Sequence, residues 1–197
     1  MINNKLIVIT ADYILPDEVA LWINVLNAGV YKLHIRKPNA SRQIISPMVA
    51  QIPVELRKNV VMHHHTDIAD RFGLGGVHLR FRESSSGNNR AVSCSVHSWE
   101  DARTIKNDYD YYFMSPVFDS ISKSGYKKND NLTEVPADLP NKKVYALGGV
   151  TASNAGLALQ YGYYGVAALG YVWEEPNQAV GRVKELLRAM TKQIAAV

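Results

Sequence analysis

Gly162-Tyr163-Tyr164-Gly165-Val166-Ala167-Ala168-Leu169-Gly170 places a glycine after a helix-like segment, then an apolar strand, then a second glycine turn. Glycine enters the left-handed conformation that stops a helix without the steric cost of a Cβ. The same order recurs as Ala28-Gly29 ahead of Lys32–Arg36 and as Gly73-Leu74-Gly75-Gly76 ahead of Val77–Leu79. Working outward from these repeats gives eight strands: Lys5–Thr10, Lys32–Arg36, Val60–His64, Gly76–Leu79, Ala91–Val96, Tyr111–Ser115, Lys143–Gly148 and Gly165–Gly170. Helical patterns lie between most of them. Pro16–Ala28 carries proline in its first turn, and Ser98–Lys106 opens with a capping serine followed by acids. Thr151–Tyr161 and Asn177–Ala196 complete the set, whereas Arg80–Arg90 is polar and rich in Gly and Ser, so the fourth helix is expected to be short or missing. Strand–helix alternation repeated eight times predicts an α/β fold, a compact (β/α)8 TIM barrel formed by residues 1–197 as one domain. An open doubly wound sheet is the alternative architecture.

With 197 residues and 47% hydrophobic side chains, the chain can bury one substantial core. Its net charge of +4 is mild and no run of five or six basic residues occurs, which argues against nucleic acid and suits a small anionic substrate. No apolar stretch approaches the roughly 20 residues that span a bilayer, and Met1–Thr10 reads as a strand rather than a signal peptide. The expected address is the cytoplasm, without membrane partners; assembly into a homo-oligomer is left open. Cys94 is the single cysteine, so no intrachain disulfide forms, and its apolar surroundings predict a buried structural thiol.

A barrel of this kind carries its active site at the C-terminal ends of the strands. All six histidines (His34, His63, His64, His65, His78, His97) fall in or just after strands two to five, which predicts that they gather on one sector of that rim. Strand alternation turns His34 and Arg36 into the mouth, and likewise Ser93, Ser95 and His97, with Val92, Cys94 and Val96 facing the helices. An arginine at a strand end suits phosphate oxygens. After strand six, Ser120, Ser122, Ser124 and Lys123 combine hydroxyls and an ammonium on a glycine-containing loop fit to close over phosphate, while Lys127 and Lys128 read as solvated. Glycine turns after strands seven and eight, at Gly148-Gly149 and Gly170, let backbone N–H groups approach an anion. His63 and His65 share a strand face, and with His34 or His97 they are candidates for a transition metal, although adjacent ligands on one strand make a poor tetrahedron. His78 reads as structural, Met62 and Met114 as core, and Tyr161, Tyr163 and Tyr164 as helix–strand packing or a subunit contact.

In this order the segments His34-Ile35-Arg36-Lys37, Gly76-Val77-His78-Leu79, Ser95-Val96-His97-Ser98, Ser115-Pro116-Val117-Phe118, Ser120-Ile121-Ser122-Lys123 and Ala146-Leu147-Gly148-Gly149-Val150 resemble the motifs of the thiamine-phosphate synthase/TenI family along nearly the whole chain. The resemblance implies a transferase of thiamine biosynthesis that couples hydroxymethylpyrimidine diphosphate to a thiazole phosphate. Arg36, Ser95 and Lys123 would contact the diphosphate, with His34 at the strand-two position usually held by Gln. Ser120 and Ser122 would hold the thiazole phosphate, together with backbone groups at Gly149, Leu169 and Gly170. It also implies Mg2+ on two aspartates, where this chain has His64 and Glu83, and the Lys expected two residues after the Arg is Pro38. His for Asp weakens a site that wants hard oxygen ligands. Two alternatives follow. One is a TenI-type thiazole tautomerase, which shares His-Ile-Arg on strand two but places its catalytic His where this chain has Pro116. The other is a phosphate-ligand binding protein without turnover.

Overall fold

The computed structural model describes residues 5–83, 91–105, 109–119, 127–139 and 143–194. Eight parallel strands close a barrel in chain order: β1 (Leu6–Ile9), β2 (Lys32–Ile35), β3 (Val60–His63), β4 (Gly76–His78), β5 (Ala91–Val96), β6 (Tyr111–Met114), β7 (Val144–Ala146) and β8 (Gly165–Ala168). Closure comes from β1 against β8, with Ile7 opposite Ala167, which excludes the open sheet. Around the barrel run α1 (Glu18–Asn27), α2 (Arg42–Ala50), α3 (Val54–Arg57), α4 (Thr66–Phe72), α5 (Trp99–Thr104), α6 (Ala155–Gln160), α7 (Gly170–Trp173) and α8 (Ala179–Ile194). No helix is described between β4 and β5; Phe81-Arg82 is a turn and residues 84–90 lie outside the described ones.

The strands are short and buried on both faces, as parallel strands covered by helices require. Along β1 the alternation splits them: Leu6 and Val8 join the layer beneath the helices, while Ile7 and Ile9 join an inner plug with Tyr111, Phe113, Tyr145 and Ala167. The outer layer is sealed by helix stripes such as Ala179, Val183, Leu186 and Met190 of α8, spaced near multiples of the 3.6-residue turn. Cys94 lies in this layer, fully buried, and burial pushes its thiol up to about 12, so it is no nucleophile near neutral pH. Tyr163 is likewise a packing residue: its hydroxyl donates to the Leu132 carbonyl at 2.6 Å and its ring meets Trp99.

Several element ends differ from the sequence expectation, each for a local reason. Helix α1 starts at Glu18 rather than Pro16, because Asp17 is left-handed (φ 49°) and the Glu18 carboxylate accepts the Leu15 N–H. Strand β3 stops at His63 because His64 has φ 56°. Strand β7 stops before Gly148 and Gly149, both at positive φ, and α6 begins only at Ala155 because the Asn154 side chain accepts the Thr151 N–H and holds residues 151–154 in a turn. The helix-ending glycines are left-handed as expected at Gly29 (φ 97°), Gly73 (φ 63°) and Gly162 (φ 87°). Ser98 caps α5 by accepting the Asp101 N–H at 3.1 Å. Among the described residues no helix is long and apolar enough to cross a membrane.

Candidate functional site

A cavity of about 950 Å³ opens at the C-terminal rim of the barrel. Five of the six histidines line it, namely His63, His64, His65, His78 and His97. Strand-end periodicity therefore places them on one sector. His34 is the exception. It faces inward as alternation demands, but it pairs in register with Val61, two residues below His63, and so sits one layer beneath the mouth, fully buried. The expectation of His34 in the mouth is corrected to a place under the cavity floor.

Arg36 lines the cavity from the end of β2. Its backbone is locked to the neighbouring strand, for Arg36 N–H donates to Thr10 Oγ1 at 2.9 Å and the Thr10 hydroxyl lies 3.2 Å from Arg36 O. Two further arginines on the wall, Arg42 and Arg80, were not singled out from the sequence. Arg42 is shared with Asp67 at 3.1 Å, whereas no acid pairs with Arg36 or Arg80 among the described residues. The signal for Arg80 was available, since it follows directly on the last apolar residue of strand four. That for Arg42 was not, because its position depends on how the β2–α2 loop turns back.

Ser95 also lines the cavity, with its hydroxyl 3.1 Å from His78 Nε2; Ser93 Oγ lies 2.9 Å from His78 Nδ1. His97 is oriented by a backbone carbonyl, Nδ1 lying 2.8 Å from Ser115 O. A carbonyl only accepts, so Nδ1 carries the proton and a neutral His97 keeps a lone pair on Nε2. Glu83 and His64, the two positions expected to hold metal, both line the cavity. One oxygen of Glu83 accepts the Arg80 backbone N–H at 3.0 Å. Among the described residues the one group of three or more candidate ligands is His34, His63 and His78, which includes neither Glu83 nor His64. His65, expected to share a face with His63, is 3.0 Å from the Ala40 carbonyl through Nε2. Leu169 lines the wall, while Gly149 and Gly170 each stand just beyond a wall-lining leucine or its neighbour. Gly149 is left-handed (φ 62°), and a Cβ there would come 2.1 Å from Asp119 O, so the β7 turn depends on glycine. Ser120, Ser122 and Lys123 lie outside the described residues.

Electrostatics at the floor favour neutral imidazole. Burial, then the charge of neighbouring His78, holds His34 and His63 well below the ordinary imidazole value. His78 is lowered to about 3 by burial, then by Arg36 and His64. Burial and Arg36 also lower His64, with Glu83 opposing. An unfolded imidazole takes a proton near 6.5, and the folded rings of His34, His63 and His78 do so only far below. Their stabilisation is thus intact above about pH 6.5 and is lost as pH falls toward the folded values. We expect the urea midpoint to drop between about pH 7 and pH 5 and the drop to shrink in His78→Gln. An equal drop in both would mean that His78 is not held neutral by the fold.

The family model described as thiamine monophosphate synthase matches residues 6–172. A thiamine-phosphate synthase of Lysinibacillus sphaericus is 30% identical over 140 residues, 65% of this chain and 66% of that relative. One from Chlorobium limicola is 25% identical over 194 residues, 90% of each chain. Among solved structures, thiamine phosphate pyrophosphorylase from Bacteroides thetaiotaomicron superposes with a TM-score of 0.81 at 28% identity, covering 95% of this chain and 98% of that one. The Pyrococcus furiosus pyrophosphorylase, at 21% identity and a TM-score of 0.77 over 96% of each chain, shares the fold.

Proposed function

The chain belongs to the thiamine-phosphate synthase/TenI family, and on that premise we propose that it joins hydroxymethylpyrimidine diphosphate to a thiazole phosphate and releases diphosphate. The observation that carries this reading is Arg36, fixed through Thr10 on the cavity wall beside Arg80 and Arg42. Cleavage of the C–O bond leaves the electron pair on diphosphate and a pyrimidinylmethyl cation, which the thiazole nitrogen captures. Such a reaction needs positive groups already aimed at the departing anion. Arg36 and Arg80 supply them, with no acid among the described residues to neutralise them, and the Ser95 hydroxyl offers a neutral donor on the same wall. Ser120, Ser122 and Lys123, with the backbone at Gly149, Leu169 and Gly170, are our assignment for the remaining phosphate contacts. His34, buried beneath the floor, acts by positioning His63 rather than by touching substrate.

The donor set fits Mg2+ in a reduced form. Glu83 supplies one carboxylate with an oxygen left over after its bond to Arg80, and substrate phosphates with water complete such sites. His64 is not a ligand of the right type for this ion. When bound there, Mg2+ would neutralise phosphate charge. A second reading, a thiazole tautomerase, draws on the bare Nε2 of His97 at the cavity, but Pro116 occupies the position expected of the tautomerase's catalytic His.

Incubation with the pyrimidine diphosphate, thiazole phosphate and Mg2+ should yield thiamine phosphate and diphosphate in equal amounts. Proton exchange on a thiazole phosphate without metal, and no coupled product, would select the tautomerase; binding without either reaction would select a silent binding protein. Glu83→Ala should raise the Mg2+ requirement by at least the about 10–100-fold that outer partners of a metal are worth. An unchanged requirement would remove Glu83 as a ligand.

A further inference from the structure

Beneath the mouth, His34, His63 and His78 bring one ring nitrogen each to within 4.8 Å of one another. We propose that these three imidazoles form a second metal site, for a borderline transition ion of the Zn2+ or Co2+ type, built into the cavity floor and independent of any Mg2+ at the rim.

Three features converge. First, the donor chemistry is right: neutral imidazole is a good ligand for Zn2+ and a poor one for Mg2+, and no acid belongs to the cluster. Second, the spacing is close to that of a coordinated set. His34 Nδ1 and His63 Nε2 are already 3.0 Å apart, while Zn–N bonds of about 2.0–2.1 Å in a tetrahedron imply about 3.3 Å between nitrogens. The third nitrogen has at most roughly 1.5 Å to close, which side-chain rotation of His78 at the cavity edge can supply. Third, His34 and His78 have outer partners of the kind that metal-binding histidines use. His34 Nε2 lies 2.7 Å from the Tyr111 hydroxyl, and His78 has Ser93 on one nitrogen and Ser95 on the other. An ion would replace one serine on His78 and keep the other.

In the metal-free protein the His34–His63 hydrogen bond uses one proton between two nitrogens that an ion would need bare. Binding therefore shifts a tautomer rather than expelling a net proton: with Tyr111 accepting from His34 Nε2–H, both facing nitrogens can be free once His63 carries its proton on Nδ1. His63 and His78 line the cavity whereas His34 does not. The ion would thus be held from below and from the side, with its remaining coordination position toward the mouth, the arrangement that leaves a site for water or a ligand oxygen.

The test uses chelator-treated full-length protein and the metal alone. Titration with Co2+ should give visible d–d absorption saturating at one ion per chain, displaced by Zn2+ and untouched by excess Mg2+; Zn2+ should raise Tm. His78→Gln, chosen because its ring sits at the cavity edge, should abolish the absorption and the Tm shift while leaving far-UV circular dichroism unchanged. Tyr111→Phe should weaken Co2+ by about 10–100-fold through loss of the partner of His34. His65→Gln, whose ring bonds Ala40 outside the cluster, should bind normally. Absence of a stoichiometric signal in the parent protein overturns the proposal. So does a signal that survives His78→Gln but is lost in His64→Gln, which would place the ion at the rim. None of these readouts depends on the transferase reading, since no substrate is present.

Discussion

Arg36→Ala should lower kcat for diphosphate release by about 10²–10³, the usual consequence of removing one preorganised group that faces a developing anion. The magnitude rests on how this side chain is held. Its backbone is fixed to Thr10 on β1 by a bond of 2.9 Å, so little ordering remains for the moment of reaction. No described acid competes for the guanidinium, and half-burial reduces competition from water. Arg36→Lys should recover only part of the rate, because an ammonium cannot present two parallel donors to neighbouring oxygens. A structural side effect has its own readout. Arg36 helps hold His63, His64 and His78 below the usual imidazole value, so its loss should move their titration upward, measurable by NMR, while Tm changes little. Coupled measurement of thiamine phosphate and diphosphate in the variant is the check. A rate and ligand affinity equal to the parent's would take Arg36 out of the site.

The rim was legible in the sequence because two simple periodicities determine it. Glycines at 29, 73 and 162 end helices, and alternation along β5 sends Ser93 and Ser95 inward and Cys94 outward, as found. Alternation tells which side a residue faces but not at which depth. That is why His34 was expected at the mouth and lies beneath it: depth depends on the register between β2 and β3, a long-range property. For the same reason His63 pairs with His78 from the next strand, stacked at 4.1 Å, rather than with His65 two residues along. His64 adopts φ 56°, which ends the strand and breaks the period on which the expected His63–His65 face relied. Arg80 can be read from its place directly after Leu79 at the end of β4, but Arg42 opens α2, where strand alternation no longer applies, so only the folded cavity shows that it shares the wall with Arg36.

The residue beside Arg36 carries the largest expected effect on stability. Lys37 closes the His34-Ile35-Arg36-Lys37 segment, yet its side chain turns away from solvent and pairs with Glu18, the two side chains 2% and 0% exposed. Glu18 also accepts Trp22 Nε1–H and Leu15 N–H, each at 3.1 Å, and Lys37 donates to the Ala11 carbonyl at 2.6 Å and to that of Tyr13. The pair and its hydrogen bonds thus tie the β1–α1 loop and the start of α1 to the segment that follows β2. Burial lowers the Lys37 pKa, opposed by its bond to Glu18, so Glu18 is what keeps the ammonium charged there. Glu18→Ala leaves that ammonium buried without its counter-ion and should cost about 3–5 kcal/mol, a large part of the about 5–15 kcal/mol that holds a domain together. Lys37→Met should cost less, because the carboxylate retains two N–H donors, and Glu18→Leu combined with Lys37→Met should recover stability relative to Glu18→Ala, since apolar replacement of both charges removes their desolvation. Urea unfolding of the three variants measures this directly. If Glu18→Ala lost under about 1 kcal/mol, Lys37 would have to shed its proton or swing to solvent. Either change would also alter the chain next to Arg36, so the activity of the same variant, measured well below its Tm, reports whether the pair sets the geometry of the rim as well as the strength of the fold.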